Sequence, residues 1–146
     1  MTSIEVRKLT IRDYIAILQV WERAGLPYKP KGRDSREITE EQMREFPDFF
    51  LGAFDKGKLV GVVIGSYETR MKGWINRLAV DPDYQRQGIA QKLVKSMEKA
   101  LKKHGAKILC ALIELPNEES VGMFQKLGYA SYRDILYITK RESQEV

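Results

Sequence analysis

Cysteine and histidine are scarce in this 146-residue sequence, which has one of each, Cys110 and His104. One cysteine cannot form an internal disulfide, and a lone thiol fits a reducing compartment. One cysteine and one histidine cannot build a Cys/His zinc cluster. We therefore expect neither a disulfide scaffold nor a metal site, and we predict a cytoplasmic protein.

Long apolar runs are missing as well. No run approaches the roughly 20 residues that a membrane-spanning helix needs, and the opening residues, MTSIEVRKLT, lack the apolar stretch of a signal peptide. We expect no signal peptide and no membrane partner. The composition, 43% hydrophobic and 31% charged, is typical of globular proteins, and the length suits a single domain over residues 1–146.

The net charge of +5 is compatible with nucleic acid or with an anionic cofactor. Most basic residues are interleaved with acidic ones. The densest basic patch, formed by Lys95, Lys99, Lys102 and Lys103, lies on the polar face of one predicted helix and is interpreted as a solvated surface. Because no aromatic-basic RNA signature accompanies it, the sequence does not favour a nucleic-acid partner.

Hydrophobic periodicity predicts strands and helices in the order β-α-α-β-β-β-α-β-α-β. Two capping boxes, Thr10 with Asp13 and Thr39 with Gln42, are predicted to open the first two helices. Three strands and a long amphipathic helix come next. Two further strands are predicted over residues 107–115 and 131–139, with a helix between them.

The segment DPDYQRQGIAQKLV, residues 81–94, joins a predicted strand to the long helix. A helix start leaves main-chain N–H groups unpaired and carries partial positive charge, so a curled loop before it can bind phosphate. Gly88 lets the main chain approach a ligand closely, and Arg86 adds a cation. The alternative is that Gly88 merely assists a tight turn. Neither the nucleotide-triphosphate nor the dinucleotide glycine pattern is present.

Two motifs together resemble the GNAT N-acetyltransferase superfamily. The first is INRLAVDPDYQRQGIAQKLV, residues 75–94, and the second is NEESVGMFQKLGY, residues 117–129. The resemblance implies an α+β fold with a mixed, mostly antiparallel sheet. In that fold β4 and β5 are parallel and splay apart, and helices cover both faces. It also implies direct transfer of an acetyl group from acetyl-CoA to a primary amine in a ternary complex. The amine is a protein N-terminus, a lysine or a small molecule.

The resemblance also assigns roles to particular residues. The loop amides are expected to hold the pyrophosphate, and the bulged fourth strand is expected to hold the pantetheine arm and the acetyl carbonyl, with the main chain of Leu78 as oxyanion donor. The residues implied in cofactor binding are Leu78, Ala79, Val80, Gln85, Arg86, Gln87, Gly88, Ile89, Ala90, Gln91, Asn117, Phe124 and Lys126. A helix cap at Asn117 and a solvated Lys126 are the alternatives for those two.

The sequence departs from the family pattern at two positions. Phe124 stands where many members have a tyrosine acid, and Leu112 stands where ribosomal-type members have a base. Glu114, two residues later and so on the same predicted strand face, is the candidate base. The other candidates near the site are Tyr67, Glu68 and Asn76. Tyr129 or Tyr132 replaces the missing acid, or nothing does.

The acceptor side is expected to come from the first two helices and their loop, with Trp21, Tyr28 and the mixed charges of residues 31–37. That mixture does not choose among a peptide, a polyamine and an amino sugar. A homodimer is left open. The alternative function is a catalytically weak sensor that binds acyl-CoA, which the phenylalanine at position 124 permits.

Overall fold

A five-stranded sheet in the order β1-β2-β3-β4-β5 forms the centre of the computed structural model, which describes residues 3–146. Neighbouring strands are antiparallel except β4 and β5, which are parallel. The predicted mixed α+β sheet is confirmed. The strands are β1 (Ile4–Lys8), β2 (Phe50–Asp55), β3 (Lys58–Glu68), β4 (Lys72–Val80) and β5 (Ile108–Ala111).

Four helices surround the sheet, and no helix within residues 3–146 has the length and apolar character needed to cross a membrane. The predicted capping box of Thr10 and Asp13 is formed, and it opens a short 3-10 turn that leads into α1. The helices are α1 (Tyr14–Ala24), α2 (Arg36–Glu45), α3 (Ile89–His104) and α4 (Glu118–Lys126).

The predicted start of α2 was wrong. The helix is capped by Ser35, whose hydroxyl accepts a hydrogen bond from the main-chain N–H of Ile38 at 3.3 Å. Thr39 therefore lies inside the helix, with its side chain buried rather than at the cap. Both residues can cap a helix, and the earlier one does so here because it satisfies the N–H groups of the first turn.

The helices pack on both faces of the sheet, as expected. On one face α3 buries its apolar stripe, and Leu93, Met97 and Leu101 have no exposed surface. On the other face α1 packs against β2, β3 and β4 through Ile17 and Trp21. Each fully buried apolar side chain of this size contributes about 1.5–3 kcal/mol, so the two cores hold the sheet rigid between them.

The main-chain pairing of β4 is interrupted on both of its sides. Its pairing with β5 ends at Ile75 and Ala111, although β4 continues to Val80. On its other side the register with β3 shifts, so that Arg77 and Leu78 lie opposite the single residue Val63. Such a two-against-one arrangement is a β-bulge. The carboxyl half of β4 is therefore bulged on one side and unpaired on the side facing β5.

The chain beyond Ala111 differs from the sequence prediction. β5 has four residues instead of nine, and residues 131–139 form no strand. A strand requires a neighbour that takes its main-chain hydrogen bonds. The C-terminal segment is held instead by an ion pair of Arg133 with Glu118 at 2.9 Å, and its end lies against Gly32 between α1 and α2.

Candidate functional site

The first turn of α3 presents main-chain donors beside open space. Arg86 and Gly88 both adopt left-handed conformations, with φ of +63° and +78°, so the chain curls as it enters the helix. Gly88 is the N-cap and offers no side chain to cap the first turn, whose N–H groups have no partner within the helix. A Cβ built on Gly88 would meet nothing within 4 Å. The space beside the positive end of the helix is therefore open.

An ion pair between the buried carboxylate of Asp81 and the half-exposed Arg23 fixes the start of the loop before α3. Asp81 is 1% exposed and receives a hydrogen bond from the Nε of Arg23 at 2.8 Å. The same arginine bonds Asp83 at 3.0 Å, and the N–H of Asp83 donates to the Asp81 carboxylate at 2.9 Å. The hydrogen bond from Arg23 holds the pKa of Asp81 below its usual value. The loop is thereby tied to α1.

A second set of contacts fixes the middle of the loop. The Tyr84 hydroxyl donates to Asp55 at the end of β2, at 2.8 Å. This hydrogen bond raises the pKa of Tyr84. The side-chain amide of Gln85 donates to the carbonyl of Val80 at 3.1 Å. Sequence reasoning missed these anchors, although the Asp-Pro-Asp-Tyr stretch after an apolar strand was the available signal.

Three residues on or beside α4 were also expected to bind the cofactor. The Asn117 side chain accepts a hydrogen bond from the N–H of Ser120 at 3.3 Å, so its capping role is confirmed. Phe124 is 6% exposed and packs edge-on against Tyr129, with ring centroids 5.0 Å apart. Lys126 is exposed at the end of the helix. Phe124 is thus part of the core on the α3 face of the sheet.

The placement of Glu114 on a strand face was wrong. β5 ends at Ala111, so Glu114 lies in an exposed segment where the alternation of strand side chains does not apply. The two candidate acids also differ from each other. The Tyr129 hydroxyl donates to Glu98 at 2.6 Å. The pKa of Tyr129 is raised far above its usual range, mainly by burial and also by this hydrogen bond. Tyr132 is 72% exposed.

The other side chains considered as bases have contacts with neighbouring side chains on the sheet or on α3. Tyr67 packs edge-on against His104 at 4.7 Å between ring centroids. The side-chain amide of Asn76 donates to Ser66 at 3.2 Å. Glu68 accepts a hydrogen bond from the indole of Trp74 at 3.4 Å.

The loop between α1 and α2 borders a wide-open surface cavity of about 530 Å³. Arg77, on the bulge of β4, reaches this loop and donates to the carbonyl of Pro27 at 2.8 Å. Nothing in the periodicity of β4 singled out Arg77, because its contacts depend on the bulge. The cavity is lined by Glu22, Gly25, Leu26, Pro27, Tyr28 and Pro30.

Comparison with known proteins agrees with this arrangement. Residues 13–129 match the model of the acetyltransferase (GNAT) family. An acetyltransferase of Sodalis glossinidius is 32% identical over 143 residues, covering 97% of this chain and 99% of the relative. An acetyltransferase of Pectobacterium atrosepticum is 32% identical over 137 residues, covering 94% of each.

The fold is also found among solved structures. The crystal structure of the PaiA N-acetyltransferase from Thermoplasma acidophilum, in complex with coenzyme A, superimposes with a TM-score of 0.76 at 24% identity. The superposition covers 88% of this chain and 90% of that protein.

Proposed function

Because the chain belongs to the acetyltransferase (GNAT) family and is an N-acetyltransferase, we propose that it transfers the acetyl group of acetyl-CoA to a primary amine in a ternary complex. The observation that carries this proposal is the loop before α3. Two left-handed residues and an uncapped helix start there surround open space. Main-chain donors at the positive end of a helix suit a diphosphate.

The remainder of acetyl-CoA would follow β4 into the sheet. The main-chain amides at the start of α3, from Gly88 to Gln91, would hold the diphosphate, and the main chain of residues 78–80 would hold the pantetheine arm. The absence of pairing between β4 and β5 beyond Ile75 and Ala111 supports this path, because an arm that enters there meets free strand edges. Asn117 and Lys126 would flank the same ligand.

The reaction would proceed by direct attack. The amine must first lose a proton, since an ammonium has no lone pair, and an ordinary lysine amine has a pKa of about 10.4. Its nitrogen then bonds the thioester carbonyl carbon and gives up one N–H proton to a base or to water, and the carbon–sulfur bond breaks as the tetrahedral intermediate collapses. The sulfur leaves as the thiolate of CoA, whose reference pKa of about 8.5 makes an acid dispensable. No covalent bond to the protein forms.

Two groups of the chain would assist this reaction. The main-chain N–H of Leu78, in the bulge, would donate to the oxyanion of the intermediate. Glu114 would accept the amine proton, directly or through water. Phe124 cannot donate a proton, and the Tyr129 hydroxyl is bonded to Glu98, so departure of an unprotonated thiolate fits the site.

The test combines calorimetry with thiol release. The protein should bind acetyl-CoA, and CoA thiol should appear on addition of at least one amine from a panel. The panel contains spermidine, kanamycin, a peptide with a free N-terminal alanine and an N-acetylated peptide with one lysine. No heat with acetyl-CoA at millimolar concentration would refute the proposal. Binding without thiol release across a broad panel would favour an acyl-CoA sensor, for which the phenylalanine at position 124 is the specific observation.

A further inference from the structure

Arg77 occupies a position where arginine is costly. It lies in the bulge of β4 with φ of +54°, a left-handed conformation that glycine or asparagine adopts more readily. Its side chain is 22% exposed, and burial lowers its pKa, although a guanidinium stays charged at neutral pH. Replacing a buried charge by a well-packed apolar side chain is often neutral or stabilising. Stability alone does not explain an arginine here.

The contacts of Arg77 join the bulge to the loop between α1 and α2, residues 25–35. One Nη donates to the carbonyl of Pro27 at 2.8 Å, near the start of that loop. The other Nη approaches the carboxylate of Asp34, near its end, at 3.5 Å. The guanidinium carbon lies 4.2 Å from the ring centroid of Trp21 on α1. One side chain thus connects both ends of the loop and the preceding helix to β4.

Asp34 makes further hydrogen bonds within the loop and to α1. It is 8% exposed, and its carboxylate accepts a hydrogen bond from the N–H of Lys29 at 2.7 Å. Its carbonyl accepts a hydrogen bond from the Tyr14 hydroxyl on α1, also at 2.7 Å. The loop is therefore closed on itself and held to α1. Arg77 contacts that closed loop from the strand on which the thioester would lie.

We propose that Arg77 is a positioning residue, which holds the loop of residues 25–35 and its adjacent cavity in register with the β4 bulge so that the acceptor amine meets the acetyl group. This inference rests on the proposed function. Pro27 forms part of the wall of the 530 Å³ cavity and is also the hydrogen-bond partner of Arg77. A shift of this wall by about 1 Å lowers kcat/KM for the amine, because the amine then binds less well within attack distance of the thioester.

The test compares Arg77→Met with wild type and with Arg77→Lys. Methionine keeps an unbranched apolar stem over Trp21 but loses the charge and the hydrogen bonds to Pro27 and Asp34. With the amine of the panel that gives the fastest thiol release, KM for the amine should rise about tenfold or more in Arg77→Met, in line with the loss of a charge-assisted hydrogen bond. The Kd for acetyl-CoA should stay within twofold. Arg77→Lys should recover only part of the loss, because lysine lacks the two-pronged geometry.

A second measurement needs no acceptor. Trypsin should cut after Lys31 and Arg33 several times faster in Arg77→Met than in wild type, because the loop is released from β4. Arg7→Met is the matched control: Arg7 also lies over an aromatic ring, 3.7 Å from the Phe54 centroid, but on β1. It should change neither the KM nor the cleavage rate.

Three results would overturn the inference. Unchanged amine KM and loop cleavage in Arg77→Met would show that the contacts position nothing. An equal rise in the Kd for acetyl-CoA would show that Arg77 supports the bulge as a whole. Failure of the wild-type protein to bind acetyl-CoA would refute the proposed function and this inference with it, and calorimetry separates that outcome from the first two.

Discussion

The chain leaves the sheet twice at the same end, after β4 and after β5, and the two exits differ. After β4, residues 81–88 are tied down by the Arg23–Asp81 ion pair, by Tyr84 on Asp55 and by Gln85 on Val80. After β5, residues 112–116 are mostly exposed; the side chains of Leu112 and Leu115 are 59% and 47% exposed. The first exit, residues 81–88 (the cradle), is anchored by contacts of its side chains with α1, β2 and β4, and the second exit holds two exposed leucines.

The two exits would serve different parts of the proposed reaction, cofactor binding after β4 and proton transfer after β5. A diphosphate is the same in every turnover, so a loop whose conformation is fixed by polar side-chain contacts can be complementary to it before it arrives. The exit after β5 carries Glu114, the proposed base, in an exposed segment outside the strand. We therefore expect substitutions in the cradle to change the affinity for acetyl-CoA or the stability of the fold. We expect substitution of Glu114 to change the rate of the reaction and to leave stability unchanged.

The cradle is tested most strongly by Gly88→Trp. The indole would occupy the open space beside the helix start, and a non-glycine residue would also be strained at φ of +78°. The loss of one or two charge-assisted hydrogen bonds predicts a Kd for acetyl-CoA about 100-fold higher by calorimetry.

Gly57→Trp is the control for this variant, since Gly57 has φ of +86° and equally open surroundings in the β2–β3 turn. It should lower thermal stability by a similar amount and leave the Kd unchanged. A Gly88→Trp protein with wild-type affinity would show that the cradle is not the diphosphate site.

The exit after β5 is tested by Glu114→Gln. If Glu114 accepts the amine proton, kcat should fall about 100-fold at neutral pH, and the pH–rate profile should move to higher pH because more of the amine must then arrive deprotonated. The Kd for acetyl-CoA and the melting temperature should not change, because the side chain is exposed. Glu119→Gln, an exposed glutamate on α4, is the matched control. An unchanged profile removes Glu114 from the mechanism.

The anchor of the cradle is tested by Asp81→Asn, which keeps the shape of the side chain and removes its charge. Melting temperature at pH 7 should fall by roughly 3–10 °C, in proportion to the loss of a buried charge-assisted hydrogen bond. Asp83→Asn removes a carboxylate that bonds the same Arg23 but is 73% exposed, so its effect should be much smaller. Equal effects from the two variants would contradict the assignment of Asp81 as the anchor.

The same variant has a definite pH dependence. The pKa of Asp81 is lowered in the folded protein. Its carboxylate therefore stabilises the fold at every pH above the unfolded value of about 3.9, and this stabilisation disappears as the pH falls through the folded value. The difference in melting temperature between wild type and Asp81→Asn should be constant near neutrality and shrink on acidification below about pH 4. A difference that grows in acid would contradict it.

The contrast between the exits also explains how far the sequence could lead. The cap at Thr10, the helix that follows Gly88 and the strands β1 to β4 were predictable, because each depends on residues a few positions apart. The contact of Arg77 with Pro27 and the anchoring of Tyr84 by Asp55 join residues that are 50 and 29 positions apart, and no local pattern encodes them. The length of β5 likewise depends on whether another strand pairs with the edge that faces away from β4.

The smallest expected effect concerns that open edge. Residues 131–139 were predicted to form a strand, but Ile135, Leu136, Tyr137 and Ile138 are 71–83% exposed. Leu136→Lys should therefore shift the melting temperature by no more than about 2 °C, as surface substitutions do. Leu93→Lys, at a position with no exposed surface, should abolish cooperative folding. A fall of more than about 5 °C for Leu136→Lys would show that this segment packs in solution, and chemical cross-linking of wild type over a range of concentrations would then show whether it packs on its own β5 or on that of a second copy.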